Sequence, residues 1–245
     1  MKRVKLTVAY DGTNYCGWQV QPNGNTIEAE LNRHLSDLLG EEIKVTGASR
    51  TDAGVHAMGN VAVFDTDARI PAEKISYAMN TRLPADIRIQ RSEEVAPDFH
   101  PRFCNTRKTY AYRIWNNRFA NPCVRLYSLF YYWKLDEARM QQAADYLIGT
   151  HDFTSFCTGR PEVPDRVRTI YSLDVERQGD MITIRVTGSG FLYNMVRIIV
   201  GTLLRVGSGQ MDPEEIPKIL EAKDRSRAGE TARPEGLTLE QIEYL

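Results

Sequence analysis

The stretch GASRTDAGVHA, residues 47–57, forms the bend between two predicted strands, residues 43–49 and 59–66. Its small residues let the backbone turn tightly and let a ligand come close. Arg50 and Asp52 lie two positions apart, so on an extended backbone their side chains point to the same side. An aspartate beside glycine is a common structural cap of a turn. Beside an arginine it is also suited to act as a nucleophile or a general base, and both roles stay open here.

The surrounding pattern predicts an α+β fold with a largely antiparallel sheet. Residues 3–10 alternate as a half-buried strand, a leucine stripe predicts a helix that ends before Gly40, and residues 107–117 form another predicted strand. Strands and helices mix without strict alternation of β and α elements. Each half has both kinds of element. We therefore expect an N-terminal α+β domain, residues 1–100, and a C-terminal α+β domain, residues 101–245.

Composition and charge narrow the class of protein. The 245 residues carry a net charge of −1, with 42% hydrophobic and 26% charged residues, which is typical of a globular chain and not of a disordered one. The four cysteines form no CxxC pair and match no zinc spacing, so we expect reduced thiols and no metal. The N-terminus, MKRVKLTVAYDG, alternates like a strand instead of forming a signal peptide. We expect a cytoplasmic protein with no membrane segment.

Positive charge is concentrated between residues 100 and 135, where the sequence contains no Asp or Glu. The basic residues of this stretch are Arg102, Arg107, Lys108, Arg113, Arg118, Arg125 and Lys134. Ten aromatic residues are interleaved with them, a composition suited to a polyanion that presents exposed bases. A second basic cluster comprises Arg160, Arg166 and Arg168. The alternative is a two-faced strand with its aromatic residues in the core and its cations in water.

Arg197 lies in a predicted helix, residues 190–206, that is apolar on nearly all sides. Such a helix is expected to be buried. A buried guanidinium without an anionic partner costs about 3–5 kcal/mol, so Arg197 needs an acid or a path to solvent. The partner is either a structural acid or Asp52.

Two further groups of polar residues allow weaker hypotheses. His56 is suited equally to a structural and to a catalytic role. His151, Asp152 and Ser155 are residue types of a hydrolase, but their spacing is unspecific. The chain contains no GxGxxG, Walker or GxSxG motif, so nucleotide-binding and serine-hydrolase functions lack support.

Six stretches in order resemble the tRNA pseudouridine synthase A family over residues 8–244. They are VAYDGTNYCGWQVQP, GASRTDAGVHA, FHPRFCNTRKTYAYRI, GTHDFTSF, GFLYNMVRIIVGTL and PEGLTLEQIEY. An RTDxGVHA core followed downstream by an MVR helix is highly specific for this family. Family members often have glycine where this chain has Ser49, a small departure.

The resemblance implies a fold of two α/β subdomains joined around a central cleft. It implies isomerisation of uridines at positions 38–40 of the tRNA anticodon stem-loop, without metal or organic cofactor, by a homodimer. By the same resemblance Asp52 is the catalytic aspartate, Tyr110 stacks on the target base, Arg197 pairs with the aspartate, and Arg50 precedes it in the motif.

The basic residues are then expected to bind the RNA backbone. The residues assigned to this role are Arg102, Arg107, Lys108, Arg113, Arg160, Arg166 and Arg168. The competing hypothesis is a non-catalytic RNA-binding protein in which the Asp52 loop is merely structural. The aromatic and basic stretch alone is compatible with either function.

Overall fold

The computed structural model describes residues 1–159 and 165–245, which form two compact units. The first unit comprises Met1–Asn105 together with Thr238–Leu245, and the second comprises Thr106–Leu237. The main segment of the first unit ends at Asn105, and the boundary expected from the sequence pattern follows residue 100. The last eight residues, which we assigned to the C-terminal domain, belong to the first unit.

The elements follow one another in a mixed order. They are β1 (Lys2–Tyr10), α1 (Ile27–Leu39), β2 (Thr46–Gly47), β3 (His56–Thr66), α2 (Ala72–Asn80), β4 (Ile87–Val95), β5 (Thr106–Asn116), β6 (Leu129–Tyr131), α3 (Glu137–Asp145), β7 (Gly149–Asp152), β8 (Val167–Gln178), β9 (Met181–Gly188), α4 (Met195–Gly207), α5 (Glu215–Ala222) and β10 (Leu237–Tyr244). Short 3₁₀ turns lie at Thr154–Phe156, Arg225–Arg227 and Pro234–Gly236. The α+β class is confirmed.

The sheet of the first unit has the strand order β4-β1-β3-β10, with β2 paired to β3. The pairs β4–β1, β1–β3 and β2–β3 are antiparallel, whereas β10 runs parallel to β3. Along β1, Val4, Leu6, Val8 and Tyr10 are buried. This alternation is the expected signature of a strand with one face in the core.

The predicted strand at 43–49 is mostly wrong, since only Thr46–Gly47 pairs as a strand. Side chains of α1 occupy the donors that a neighbouring strand would need. The N–H of Ile43 donates to the Ser36 hydroxyl at 2.9 Å, and that of Val45 donates to the Asn32 side chain at 2.8 Å. The backbone is therefore satisfied without a strand partner.

The sheet of the second unit has the order β5-β9-β8-β7, antiparallel throughout, with β6 parallel to β5. Helix α3 packs on β8 and on α4. Every residue of α4 except Arg197 and Arg205 is buried, as the apolar pattern predicts. In the part of the chain that the structure describes, no helix has both the length and the apolar character needed to cross a membrane.

Candidate active site

The loop between β2 and β3 carries Arg50 and Asp52. Ser49 and Thr51 are buried, Arg50 is exposed and Asp52 is half-buried. This alternation puts the two charged side chains on the opposite side of the loop from Ser49 and Thr51. The burial pattern agrees with the expectation that Arg50 and Asp52 share a side. The Arg50 guanidinium also donates to the side chain of Gln19 at 3.4 Å.

Two glycines bring another backbone segment against the loop on either side of Asp52. A Cβ atom on Gly12 would lie 2.0 Å from the carbonyl oxygen of Val55, and one on Gly17 would lie 2.6 Å from that of Thr51. No other residue fits at these contacts without moving the backbone. Gly17 also has a φ of +88°, which other residues rarely adopt. The position of Asp52 thus depends on two missing side chains.

Hydrogen bonds and a buried tryptophan complete this contact. The N–H of Trp18 donates to the Thr51 carbonyl at 3.0 Å, and the N–H of Gly54 donates to the Tyr15 carbonyl at 3.3 Å. The Trp18 ring is buried against Gly47, where a Cβ atom would lie 2.3 Å from the indole nitrogen. The loop is therefore anchored at its start, at its centre and at its end.

His56 fixes the end of the loop to the same segment. Its Nδ1 lies 3.0 Å from the N–H of Gly12 and 3.1 Å from a carboxylate oxygen of Asp11. The nitrogen can accept from Gly12 or donate to Asp11, and either bond holds the buried ring against the segment. Of the two hypotheses for His56, the contacts favour the structural one.

Arg197 lies in the first turn of α4, nearer the helix N-terminus than the predicted helix 190–206 implied. Asn194 has a left-handed φ of +60°, so the helix begins only at Met195. The Arg197 Nε donates to the carbonyl of Ala232 at 2.7 Å, and Nη1 donates to the Asn194 side chain at 3.1 Å. Both the guanidinium and the positive end of the helix dipole favour an anion here.

The segment 229–236 connects Arg197 to the strand that carries Tyr110. A Cβ atom on Gly201 would lie 1.7 Å from the Glu230 carbonyl oxygen, so α4 and this segment meet backbone to backbone. The buried Tyr112 hydroxyl donates to the carbonyl of Arg233 at 2.7 Å. Burial raises the pKa of Tyr112, which keeps the phenol protonated as the donor.

Tyr110 lies near the middle of β5, opposite Val186 of β9, and its side chain is half-buried. Its ring meets that of Phe191 edge to face, with centroids 5.3 Å apart and planes at 87°. Phe191 lies four residues before the start of α4. The segment that leads into α4 therefore contacts Tyr110 through Phe191 and Arg197 through Asn194. An edge contact of this kind fixes the Tyr110 ring without covering both of its faces.

The basic residues of β5 do not share one face. Strand alternation places Lys108 with Tyr110, whereas Arg107 and Arg113 lie on the opposite face. Arg107 is exposed and its guanidinium carbon lies 5.1 Å from the centroid of the Tyr171 ring. The structure therefore brings one of these three cations to the side of Tyr110.

The remaining predicted RNA-binding residues lie in different places. Arg102 is exposed in the first unit, and Arg166 and Arg168 are half-buried at the start of β8. Burial raises the pKa of the nearby Cys157 thiol, an effect that the charges of Arg166 and Arg168 oppose. Arg160 lies outside the described residues.

Aromatic residues of the stretch 100–135 divide between core and surface. Tyr112 is fully buried, as the core alternative predicts. The exposed aromatic residues of the stretch are Phe103, Phe119, Tyr127, Phe130, Tyr132 and Trp133. Large exposed rings among cations are suited to stacking on unpaired bases.

The hydrolase hypothesis finds no support in the arrangement of its residues. Ser155 is fully buried, and its hydroxyl donates to the Ile219 carbonyl at 2.6 Å and accepts from the N–H of Asp224 at 2.9 Å. The Asp152 carboxylate lies 2.8 Å from the ammonium of Lys223. Within residues 1–159 and 165–245, no three His, Cys, Asp or Glu side chains are grouped as metal ligands.

Comparison with known proteins decides the family. A family model described as tRNA pseudouridine synthase matches residues 6–104 and 143–245. A tRNA pseudouridine synthase A of Ruminiclostridium cellulolyticum is 49% identical over 245 residues, which is 100% of both chains. One from an Exiguobacterium species is 50% identical over 100% of this chain and 98% of its own. This chain belongs to the tRNA pseudouridine synthase A family. Members of this family are isomerases, and the resemblance read from the motifs is confirmed.

A chain of an archaeal box H/ACA sRNP Nop10-Cbf5 complex is similar over 82% of this chain and 44% of its own length, with 14% identity and a TM-score of 0.37. That similarity is too low to bear on function.

The glycine contact beside Asp52 generates a prediction. Replacing Gly17 by alanine should lower the rate of pseudouridine formation, because the new methyl group pushes on the carbonyl of Thr51, the residue before Asp52. Gly40→Ala is the matched control, since Gly40 also has a left-handed φ, of +72°, but has nothing within 4 Å of the added Cβ atom. Both variants should lose about 1 kcal/mol of stability from backbone strain, and Gly17→Ala should lose more because its methyl group also clashes with the Thr51 carbonyl. The measurement is kcat alongside thermal unfolding, and equal kcat values for the two variants would refute the prediction.

Proposed function

We propose that this chain isomerises uridines at positions 38–40 of the tRNA anticodon stem-loop to pseudouridine, with Asp52 as the nucleophile or base. The observation that carries the proposal is the anchored loop that holds Asp52 and Arg50 on one side. Family membership supports the reaction, and the motif resemblance supports the positions in tRNA.

The reaction breaks the bond between N1 and C1′, turns the uracil and rejoins it through C5. Atoms and electrons balance without an oxidant or an energy source. One carboxylate is enough, because it can attack C1′, add to C6 of the ring, or remove a ribose proton. Each route requires an ionised carboxylate fixed beside the nucleotide, and a loop anchored on both sides of Asp52 meets that requirement.

Arg197 is the proposed partner of the Asp52 carboxylate. Its guanidinium is oriented by Ala232 and Asn194, and it stands in the first turn of a buried helix. These features favour an anion beside Arg197. In this role Arg197 keeps Asp52 ionised and aimed.

Tyr110 and Arg50 are the proposed contacts to the target nucleotide. A uridine in a stem-loop must leave its stack before its glycosidic bond is accessible, which costs a few kcal/mol. Stacking on an aromatic ring returns about 1–3 kcal/mol. The half-buried Tyr110 ring, which meets Phe191 in an edge-to-face contact, is suited to that stacking. The exposed Arg50 helps to displace the nucleotide or fills the space it leaves.

The exposed cations and rings are proposed to hold the rest of the tRNA. Arg102, Arg107 and Lys108 are expected to contact phosphates, together with Arg113, Arg166 and Arg168. The exposed aromatic residues of the stretch 100–135 are candidates for unpaired bases. The motif resemblance also supports action as a homodimer, and the cytoplasm stays the proposed location.

Replacing Asp52 by asparagine tests the central role. The variant should form no pseudouridine because the amide lacks the negative charge, yet it should bind tRNA with nearly unchanged affinity because its shape is preserved. The measurement is the formation of pseudouridine in uridine-labelled tRNA, with the binding of tRNA followed in parallel. Normal turnover by this variant would exclude Asp52 as nucleophile or base. Loss of binding together with turnover would point instead to a structural or RNA-binding loop.

Replacing Arg197 by methionine tests its proposed role. The change removes the guanidinium that bonds Ala232 and Asn194, so the variant should be inactive and less stable, by about 1–3 kcal/mol for hydrogen bonds to a charged group. Arg197→Lys keeps the charge but loses the planar fork, so it should recover part of the stability and little of the rate. The assays are thermal unfolding and kcat. A stable and active methionine variant would show that Asp52 needs no partner at this position.

Salt dependence tests the proposed phosphate contacts. The affinity for tRNA should fall steeply as salt rises, because bound counterions are released from the RNA. Arg102→Ala should reduce the slope of log affinity against log salt by about one if it contacts a phosphate. Lys44→Ala is the control, since Lys44 is also exposed but pairs with Glu42 outside the basic stretch. A flat salt response of the unchanged protein would contradict the phosphate-binding role.

A further inference from the structure

The buried side-chain amide of Asn60 forms hydrogen bonds with the backbone of Ser49, three residues before Asp52. Asn60, in β3, is fully buried. Its Nδ2 donates to the Ser49 carbonyl at 2.9 Å, and its Oδ1 accepts from the Ser49 N–H at 3.3 Å. The two bonds clamp both polar groups of the Ser49 backbone. Asn60 lies outside the six stretches that resemble the family.

The same amide is also linked to Thr51 through the Tyr10 hydroxyl. The Nδ2 of Asn60 also donates to the Tyr10 hydroxyl at 3.2 Å, and that hydroxyl lies 2.8 Å from Oγ1 of Thr51. Either hydroxyl can be the donor of this bond, and in both directions the bond joins Tyr10 to Thr51. Asn60 thus fixes the two residues that flank Arg50, one directly and one through a phenol.

The orientation of the amide is determined by its surroundings. Oδ1 also accepts from the N–H of Val61 at 2.9 Å, so the side chain makes four hydrogen bonds in all. A flipped amide would place its NH₂ against two N–H donors and its oxygen against the Ser49 carbonyl. The four bonds of Asn60 therefore go to the loop at Ser49, to Tyr10 of β1 and to Val61 of its own strand.

We infer that Asn60 is a positioning residue for the isomerisation, acting through Ser49, Tyr10 and Thr51 to hold Asp52 at the target nucleotide. Ser49 and Thr51 are drawn inward by this network, which turns Arg50 and Asp52 outward. The inference rests on the proposed role of Asp52. It assigns to Asn60 no contact with the substrate.

The chain offers a matched control in Asn80. Its side chain clamps the backbone of Ile89 in the same two-way manner, with both bonds at 2.8 Å, but on β4 instead of the loop. Asn60→Ala and Asn80→Ala each remove a two-way clamp on one backbone residue, and Asn60→Ala also removes the bonds to Tyr10 and Val61. A merely structural role for Asn60 predicts that both variants keep their kcat once the folded fraction is taken into account.

The experiment measures kcat, KM for tRNA and thermal unfolding for both variants. We expect Asn60→Ala to lower kcat by about 100-fold and to leave KM within about twofold, the pattern of a misplaced catalytic group. We expect Asn80→Ala to keep kcat within about twofold once the folded fraction is taken into account. Equal kcat values for the two variants would overturn the inference.

A milder variant keeps the test decisive if Asn60→Ala does not fold. Tyr10→Phe removes only the hydroxyl between Asn60 and Thr51 and retains the ring beside Trp18. It should lower kcat by about tenfold with KM unchanged. Unchanged kcat in this variant would overturn the inference.

The Asp52→Asn variant separates the two proposals. If Asp52→Asn is inactive while Tyr10→Phe and Asn60→Ala turn over normally, the role of Asp52 stands and that of Asn60 fails. If Asp52→Asn is active, the proposed function of the loop fails first.

Discussion

Backbone meets backbone on both sides of Asp52, and the candidate site depends on that contact. Gly12 and Gly17 lie so close to the carbonyls of Val55 and Thr51 that a single methyl group at either glycine would displace the loop. Close packing of this kind leaves the loop few alternative positions. In its proposed role the Asp52 carboxylate must meet one atom of a flipped nucleotide, and such a restriction serves that role, since errors of about 1 Å in placement are costly.

The second unit uses the same device for Arg197. Gly201 lets α4 touch the backbone at Glu230, and the next residues supply the Ala232 carbonyl that orients the guanidinium. Tyr112 joins this segment to β5, the strand of Tyr110. Each proposed catalytic side chain therefore stands on an element whose position is set by a contact that only glycine permits. Backbone packing therefore sets where the Asp52 loop and α4 lie. Side-chain hydrogen bonds then set only the final orientation of the charged groups.

The features that could be predicted from the sequence are those encoded by a local pattern of residues. The shared side of Arg50 and Asp52 follows from two-residue alternation, and burial of α4 follows from its apolar surface. It failed where long-range contacts decide. The N–H groups of Ile43 and Val45 are bonded by side chains of α1, so a strand-like pattern forms little strand. The first turn of α4 was misplaced because the left-handed Asn194 carries no signal in composition.

Strand β10 is a second feature that a local sequence pattern does not encode, and it lies next to the Asp52 loop. Its pairing with β3 is parallel and covers Thr238 with His56 and Leu239 with Ala57, directly after the loop. The partners are about 180 positions apart, so no local pattern in either segment encodes the pairing. The role of Asn60 is hidden from the sequence for the same reason, because three of its four hydrogen bonds join it to Ser49 and Tyr10, which are distant along the chain. The motif residues carry the proposed chemistry of this loop, and its geometry depends on residues outside the RTD motif, such as Gly12, Gly17 and Asn60. We therefore expect the rate to respond to changes well outside the motif.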